Sequence, residues 1–252
     1  MSHFYTQQKN GKVKLLKTVD TIAKARRHGN CSKSVTTVLQ LFPRQLRGFD
    51  INNWRERRLI ALARQHPSDT EEKLLERLWG YREDIDGSVL TSSEFGTKLH
   101  AEMEEAILQK MAGADYHSEY RHFYGKFLEW LDFSDIEPEV VEHSVMDSKR
   151  RVAGMIDFIG NNNGSPILMD FKFRQGNPRR KSYDTDLCQL AVEADIIANE
   201  RGISIDTIDC CSVIFNCENE EMYVKLWPSE KVKWGVEAFD KLNDTYNFFT
   251  GL

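Results

Sequence analysis

The chain has 252 residues, of which 40% are hydrophobic, 29% charged and 11% aromatic. This supplies a sizeable core and excludes wholesale disorder, collagen-like repeats and a disulfide-stapled miniprotein; one large domain or two small ones fit the length. The net charge of −5 hides a segregation: residues 1–66 carry 14 Lys/Arg against 3 Asp/Glu, 67–145 carry 7 against 19, 146–181 carry 8 against 3, and 182–252 carry 5 against 14. Two basic segments in an acidic chain point to a polyanion contact, with nucleic acid the leading class.

No stretch approaches the roughly 20 apolar residues that span a bilayer. Residues 1–33 contain no long apolar run, so neither a secretory leader nor a membrane association is expected. The five cysteines (Cys31, Cys188, Cys210, Cys211 and Cys217) are odd in number and partly adjacent, which suits a reducing compartment. A soluble protein of the cytoplasm is expected.

Residues 1–33 are polar and basic, with one amphipathic run at Val19–Ala25. Ser34-Val35-Thr36-Thr37-Val38-Leu39 reads as a β-branched strand or a helix entry. Asn53–Gln65 reads as a helix rich in arginine (Arg55, Arg57, Arg58, Arg64). Pro67-Ser68-Asp69 breaks it, and Ser68 or Asp69 is expected to cap a helix over Glu71–Trp79. A long helix runs from Ser93 to Met111, with Phe95, Leu99, Met103, Ala106 and Ile107 at three- and four-residue spacing. Glu119–Leu131 is a second, aromatic-rich helix, and the cluster Tyr116, His117, Tyr120, His122, Phe123 and Tyr124 suits helix packing rather than base stacking.

Strands follow over Glu139–Met146, Val152–Ile159 and Pro166–Phe173. The last two form a hairpin turned by Asn161-Asn162-Asn163-Gly164, residues that tolerate positive φ. Lys149-Arg150-Arg151 sits at a hairpin tip. A helix over Leu187–Asn199, strands over Thr207–Asn216 and Met222–Leu226, and a closing helix over Val232–Phe249 complete the chain. The order predicts an α/β protein: a mixed central sheet flanked by helices, with a basic, mostly helical N-terminal region at 1–90 and a core at 91–252.

The hairpin carries the chemistry. Asp157 lies on its first strand, and the return strand reads Met169-Asp170-Phe171-Lys172-Phe173. Side chains at i and i+2 share a strand face, so Asp170 and Lys172 point together and Asp157 reaches them from next door. Two carboxylates and a lysine suit metal-dependent phosphodiester hydrolysis. Carboxylates hold Mg²⁺ or Mn²⁺; the metal neutralises phosphate charge and acidifies water. The lysine orients that water and stabilises the anionic transition state. Upstream, Gly96-Thr97-Lys98-Leu99-His100-Ala101-Glu102-Met103-Glu104 places His100 and Glu104 on one helical face. Glu142 precedes the hairpin and Gln189 follows it.

Taken in order, Gly96–Glu104, Gly154-Met155-Ile156-Asp157, Asp170-Phe171-Lys172 and Gln189-Leu190 resemble the RecB-like branch of the PD-(D/E)XK nuclease superfamily, over roughly residues 90–250. Ser34–Leu39 with the Arg- and Trp-bearing segment after it is similar to the start of small phage exonucleases and of the mitochondrial genome-maintenance exonuclease. The resemblance implies a restriction-endonuclease-like core and metal-dependent DNA cleavage. By position it implies that His100, Asp157, Asp170 and the carbonyl of Phe171 hold the metal, and that Lys172 is the catalytic lysine. Gln189 would orient that lysine or contact DNA, with Glu104 and Glu142 as further metal or supporting candidates. Members often carry a tyrosine soon after the glutamine; here the run is Gln189-Leu190-Ala191-Val192-Glu193, and Tyr183 precedes it.

Some relatives hold an iron–sulfur cluster, but adjacent Cys210 and Cys211 face opposite ways on a strand, and none is expected here. Arg174, Arg179, Arg180 and Lys181 form a basic loop beside the lysine, suited to phosphate contact. Arg55 and Arg58, near Phe42, Phe49 and Trp54, suit a path for a single strand. The expected activity is a deoxyribonuclease, first an exonuclease on single-stranded DNA or DNA ends. Its setting would be phage or bacterial replication, recombination or degradation, in bacterial or phage-infected cytoplasm, with a replication or recombination protein as partner. The alternatives are a restriction or junction-resolving endonuclease, or an inactive DNA-binding protein on the same fold.

Overall fold

The computed structural model describes residues 4–10, 12–17, 19, 21–28, 31–39, 59–79, 82–83, 88–174, 179, 183–217 and 221–251. β1 (Phe4–Gln7) and β2 (Val13–Leu15) form an antiparallel pair, followed by α1 (Ile22–His28), β3 (Ser32–Ser34) and α2 (Val35–Leu39). Next come α3 (59–65), α4 (Glu71–Trp79) and a two-stranded hairpin of β4 (Arg82–Glu83) and β5 (Val89–Leu90). α5 (Ser92–Met111) and α6 (Arg121–Phe133) precede the long strands β6 (Ile136–Asp147), β7 (Val152–Asn162) and β8 (Ser165–Arg174). α7 (Asp184–Arg201), β9 (Asp209–Asn216), β10 (Met222–Trp227) and α8 (Ser229–Thr250) close the chain. No helix among the described residues is long and apolar enough to cross a membrane.

The α/β class expected from the sequence holds: a mixed central sheet with helices on both faces. The sheet runs β10-β9-β8-β7-β3-β1-β2, with β6 paired to β7 besides. β7 and β8 are antiparallel, as their Asn-Gly turn requires, and Asn163 takes φ 51° there. β8 and β9 are parallel, with α7 as the crossover.

Strand periodicity sorts the core into two layers. Ile167, Met169 and Phe171 of β8 pack with Leu99, Met103 and Ile107 of α5 and with Phe123 and Phe127 of α6. Leu168, on the other face, packs with Val152 and Ile156 of β7, with α7, and with Val232 and Phe239 of α8. Cys210 and Cys211 fall in opposite layers, as alternation demands. Tyr120, Phe123 and Tyr124 are buried core, matching the expected packing role.

α5 begins with a capping box. The Thr91 hydroxyl accepts from the Glu94 N–H, and the Glu94 carboxylate accepts from the Thr91 N–H. α4 spans Glu71–Trp79 as expected, but Thr70 rather than Ser68 or Asp69 caps it, its Oγ1 accepting the Lys73 N–H. The β6–β7 connection is a tip at Lys149-Arg150-Arg151, where Arg150 turns inward onto Asp147, Asp195 and Asp240.

The described part of the N-terminal region is helical over α1–α4 and also supplies five strands, β1–β5, of which β3 pairs in parallel with β7 through Lys33↔Val152 and Ser34↔Ala153. The sheet therefore crosses residue 91, and β2 lies against β6. At Ser34–Leu39 the strand ends and a helix begins, so both readings of that segment hold in part. The expected helix Asn53–Gln65 is seen over 59–65; Arg55, Arg58, Phe42, Phe49 and Trp54 lie outside the described residues.

Candidate metal centre

The site sits where the sheet forks. β7 and β8 pair from Asn162↔Ser165 only as far as Phe158↔Met169. On the same edge of β7, β3 takes over at Ala153 and Val152. Between these two partners the edge from Gly154 to Asp157 has no strand beside it among the described residues. Asp157 fills the fork: its Oδ2 accepts the Phe171 N–H at 2.6 Å, replacing the ladder bond lost by the diverging strands.

Three elements converge on Asp157. His100 on α5 brings Nδ1 to 3.7 Å from Asp157 Oδ1 and packs its ring edge-on to Phe173. Glu142 on β6 lies opposite Asp157, between the ladder pairs Val141↔Phe158 and His143↔Ile156, and takes φ 50°. A non-glycine residue in the left-handed region is strained, and such strain collects at functional sites. One ligand atom from each of His100, Glu142 and Asp157 lies within 4.8 Å of the others. Glu104, one turn after His100, adds negative charge beside Glu142.

Asp170 stands on the other side of the fork, on the strand face toward α7. It is 2% exposed. Its Oδ1 accepts from Lys172 Nζ at 2.5 Å, while its Oδ2 is buried with no hydrogen-bond partner among the described residues. Lys172 Nζ also lies 3.5 Å from Gln189 Oε1 on α7.

The electrostatics follow from burial. Burial, then the Lys172 charge, lowers His100 to about 4, so its imidazole is neutral and has a lone pair to give. Burial, then the Asp157 and Glu104 charges, raises Glu142 to about 7. Asp157 and Asp170 are both pushed up by burial, against the pull of Lys172. Burial works against the Lys172 charge too, but Asp170, Asp157 and Asp186 outweigh it and hold the ammonium on. A neutral imidazole, crowded carboxyls and one orphaned buried oxygen fit a hard divalent cation, which would repay both the crowding and the missing partner.

Of the residues expected to hold a metal, the structure brings His100 and Asp157 together and adds Glu142, until now a secondary candidate. Asp170 lies outside that trio. Phe171 is placed through its N–H bond to Asp157. Gln189 is next to Lys172.

The basic loop is placed in part. Arg180 and Lys181 lie outside the described residues. Arg174 is committed: Asp186 accepts from both its terminal nitrogens at 2.6 and 2.8 Å, and its guanidinium lies 4.5 Å from the centre of the Tyr183 ring. Arg179 lies 5.6 Å from the centre of the Tyr223 ring.

One further residue borders the site without having been singled out for it. Glu193, one turn after Gln189 on α7, is 1% exposed, and its Oε1 accepts from Gln189 Nε2 at 3.4 Å. Gly154 faces it: a Cβ there would stand 2.6 Å from Glu193 Oε1. The available signal was an acid within the apolar run Leu190-Ala191-Val192-Glu193-Ala194, spaced i+4 from Gln189. A cleft of about 700 Å³ opens elsewhere, lined by Asp147, Arg150, Asp195, Asp240, Asn243 and Asn247. Its guanidinium is already neutralised by three carboxylates.

No family model matches the chain, and no curated protein matches it. Among solved structures, SSO0001 is 12% identical, with 77% of this chain and 87% of that one covered and a TM-score of 0.30. An alkaline exonuclease from Laribacter hongkongensis is 10% identical, covering 59% and 81%, with a TM-score of 0.32. The same enzyme in complex with dAMP is also 10% identical, covering 60% and 84%, at 0.21. Likeness at this level leaves the functional reading to the side chains above.

Proposed function

We propose that the protein is a Mg²⁺- or Mn²⁺-dependent deoxyribonuclease, acting as an exonuclease on single-stranded DNA or DNA ends. The observation that carries this is the fork. His100, with a neutral imidazole, converges there with Glu142 and Asp157, and across the fork stand Lys172 and Asp170, whose Oδ2 is buried without a partner among the described residues. A divalent cation held by His100, Glu142 and Asp157, with Asp170 alongside, would neutralise charge on a bound phosphate and acidify water.

The chain's own groups do the rest. Lys172 keeps its ammonium and aims it from Asp170 toward the fork, where it stabilises negative charge growing on the phosphate oxygens. Gln189 holds that ammonium from the α7 side. Phe171 and Phe173 exclude water on the α5 side, with His100 against them. Exposed Arg179 and the basic loop around it are suited to the flanking backbone phosphates, and the basic N-terminal region is suited to guide a strand toward the fork.

The test is cleavage of end-labelled linear single-stranded, linear duplex and covalently closed circular DNA, each with Mg²⁺, Mn²⁺ or EDTA. Metal-dependent loss of linear strands with circles spared is the expected result. Cut circles would replace the exonuclease by an endonuclease. DNA binding without cleavage under any metal would refute the enzyme reading.

A further inference from the structure

We propose that Glu193 is a positioning residue that acts through Gln189 on Lys172, and that residue 154 is glycine to leave room for it; this rests on the nuclease reading above.

A primary amide has a donor end and an acceptor end. Glu193 Oε1 takes the donor end of Gln189 at 3.4 Å, so the acceptor end, Oε1, faces Lys172 Nζ at 3.5 Å. The ammonium has three donors. Asp170 takes one and Gln189 draws a second, which leaves the third for the open side of the fork. Without Glu193 the amide is free to turn its NH₂ toward a cation, and the lysine loses one of its two anchors.

Glu193 is an expensive way to fill space. Its helix neighbours Leu190, Ala191, Val192 and Ala194 are all buried and apolar. Burial, then the charges of Asp170 and Asp157, pushes its carboxyl well above the ordinary range. Gly154 supplies the complementary space: an added Cβ would meet Glu193 Oε1 at 2.6 Å, Cγ at 3.0 Å and Cδ at 3.2 Å. Its φ lies outside the left-handed region, so what an added Cβ would meet there is the Glu193 side chain rather than backbone strain.

The experiment measures kcat and KM for metal-dependent cleavage of an end-labelled oligonucleotide by the wild type, E193A, E193Q, G154A and the double variant. Misplacing the lysine predicts a loss of about 100-fold in kcat for E193A with KM nearly unchanged. E193Q keeps an acceptor for Gln189 and should restore most of the rate. G154A should lose rate as E193A does, and should cost nothing further in the E193A background, because the two changes remove one arrangement. If E193A does not fold, an active E193Q beside an inactive E193M supports the proposal. An active wild type with an equally active E193A, or fully additive losses from G154A and E193A, would overturn it. A wild type inactive on every DNA and metal would overturn the nuclease reading, and this proposal with it.

Discussion

Lys33 gives a prediction that is independent of catalysis. It sits on β3 with 2% of its surface exposed, donates to Asn247 Oδ1 at 2.7 Å and lies 5.3 Å from the centre of the Tyr246 ring. Burial, then repulsion by Arg151, lowers it from 10.5 to about 8. Below pH 8 the folded and unfolded chains both carry the proton, and the cost of the buried charge is full and constant. Between 8 and 10.5 the unfolded chain binds the proton that the folded chain has released, so stability rises with pH. Above 10.5 the cost is gone. The full shift corresponds to roughly 3 kcal/mol; solvent screening and the lost bond to Asn247, about 1 kcal/mol, both reduce the gain from removing the charge. Lys33→Met should therefore stabilise the protein by about 1 kcal/mol at pH 7 and destabilise it by a similar amount near pH 10.5. Paired urea denaturations of the two proteins at each pH, at constant m, read this directly. A difference that is the same at pH 7 and pH 10.5 would refute the reasoning.

Three further outcomes are expected. Lys172→Ala should cut the cleavage rate by about 10²–10⁴-fold while circular dichroism and DNA binding persist, since its ammonium acts on charge that develops only during reaction; full activity would refute the site. Mn²⁺ should raise the melting temperature of the wild type, by the equivalent of about 2.7 kcal/mol at 100 times Kd. Asp157→Asn should abolish that rise, because Asp157 is the carboxylate shared by the cluster and the fork. Removing residues 1–34 should yield a chain that aggregates or loses its metal response, since it bares the β7 edge at Val152 and Ala153; a folded, metal-binding remainder would show that the N-terminal strands are dispensable.

Much of the site was legible because it lies on strong patterns. Ile167, Met169 and Phe171 alternate with Leu168 and Asp170, so two charged residues on an otherwise apolar strand stood out, and the Asn-Gly turn fixed which strand faced them. His100 was legible from its place on a helix whose apolar stripe was clear. Glu142 was only half legible, because its approach to the cluster depends on a positive φ that no residue type announces at a glutamate. The N-terminal strands had no pattern to read: Ser32, Lys33 and Ser34 are polar yet buried, and they are strands because β7 offers an unpaired edge.

That edge explains why the chemistry and the illegible part of the sequence meet. A parallel strand and an antiparallel strand share one side of β7, and the gap between them leaves backbone groups without ladder partners. Burial forbids leaving such groups bare, so polar side chains must enter: Asp157 takes the Phe171 N–H, while Glu193 fills the space above Gly154. Once polar groups are drawn into an apolar fork their carboxyls crowd, and a lysine and a cation become the natural means of neutralising them. On this view the basic N-terminal region does more than carry charge toward DNA. Its third strand is one wall of the fork, and changes in β3 should reach the site through Ala153 and Gly154 before they touch any phosphate contact.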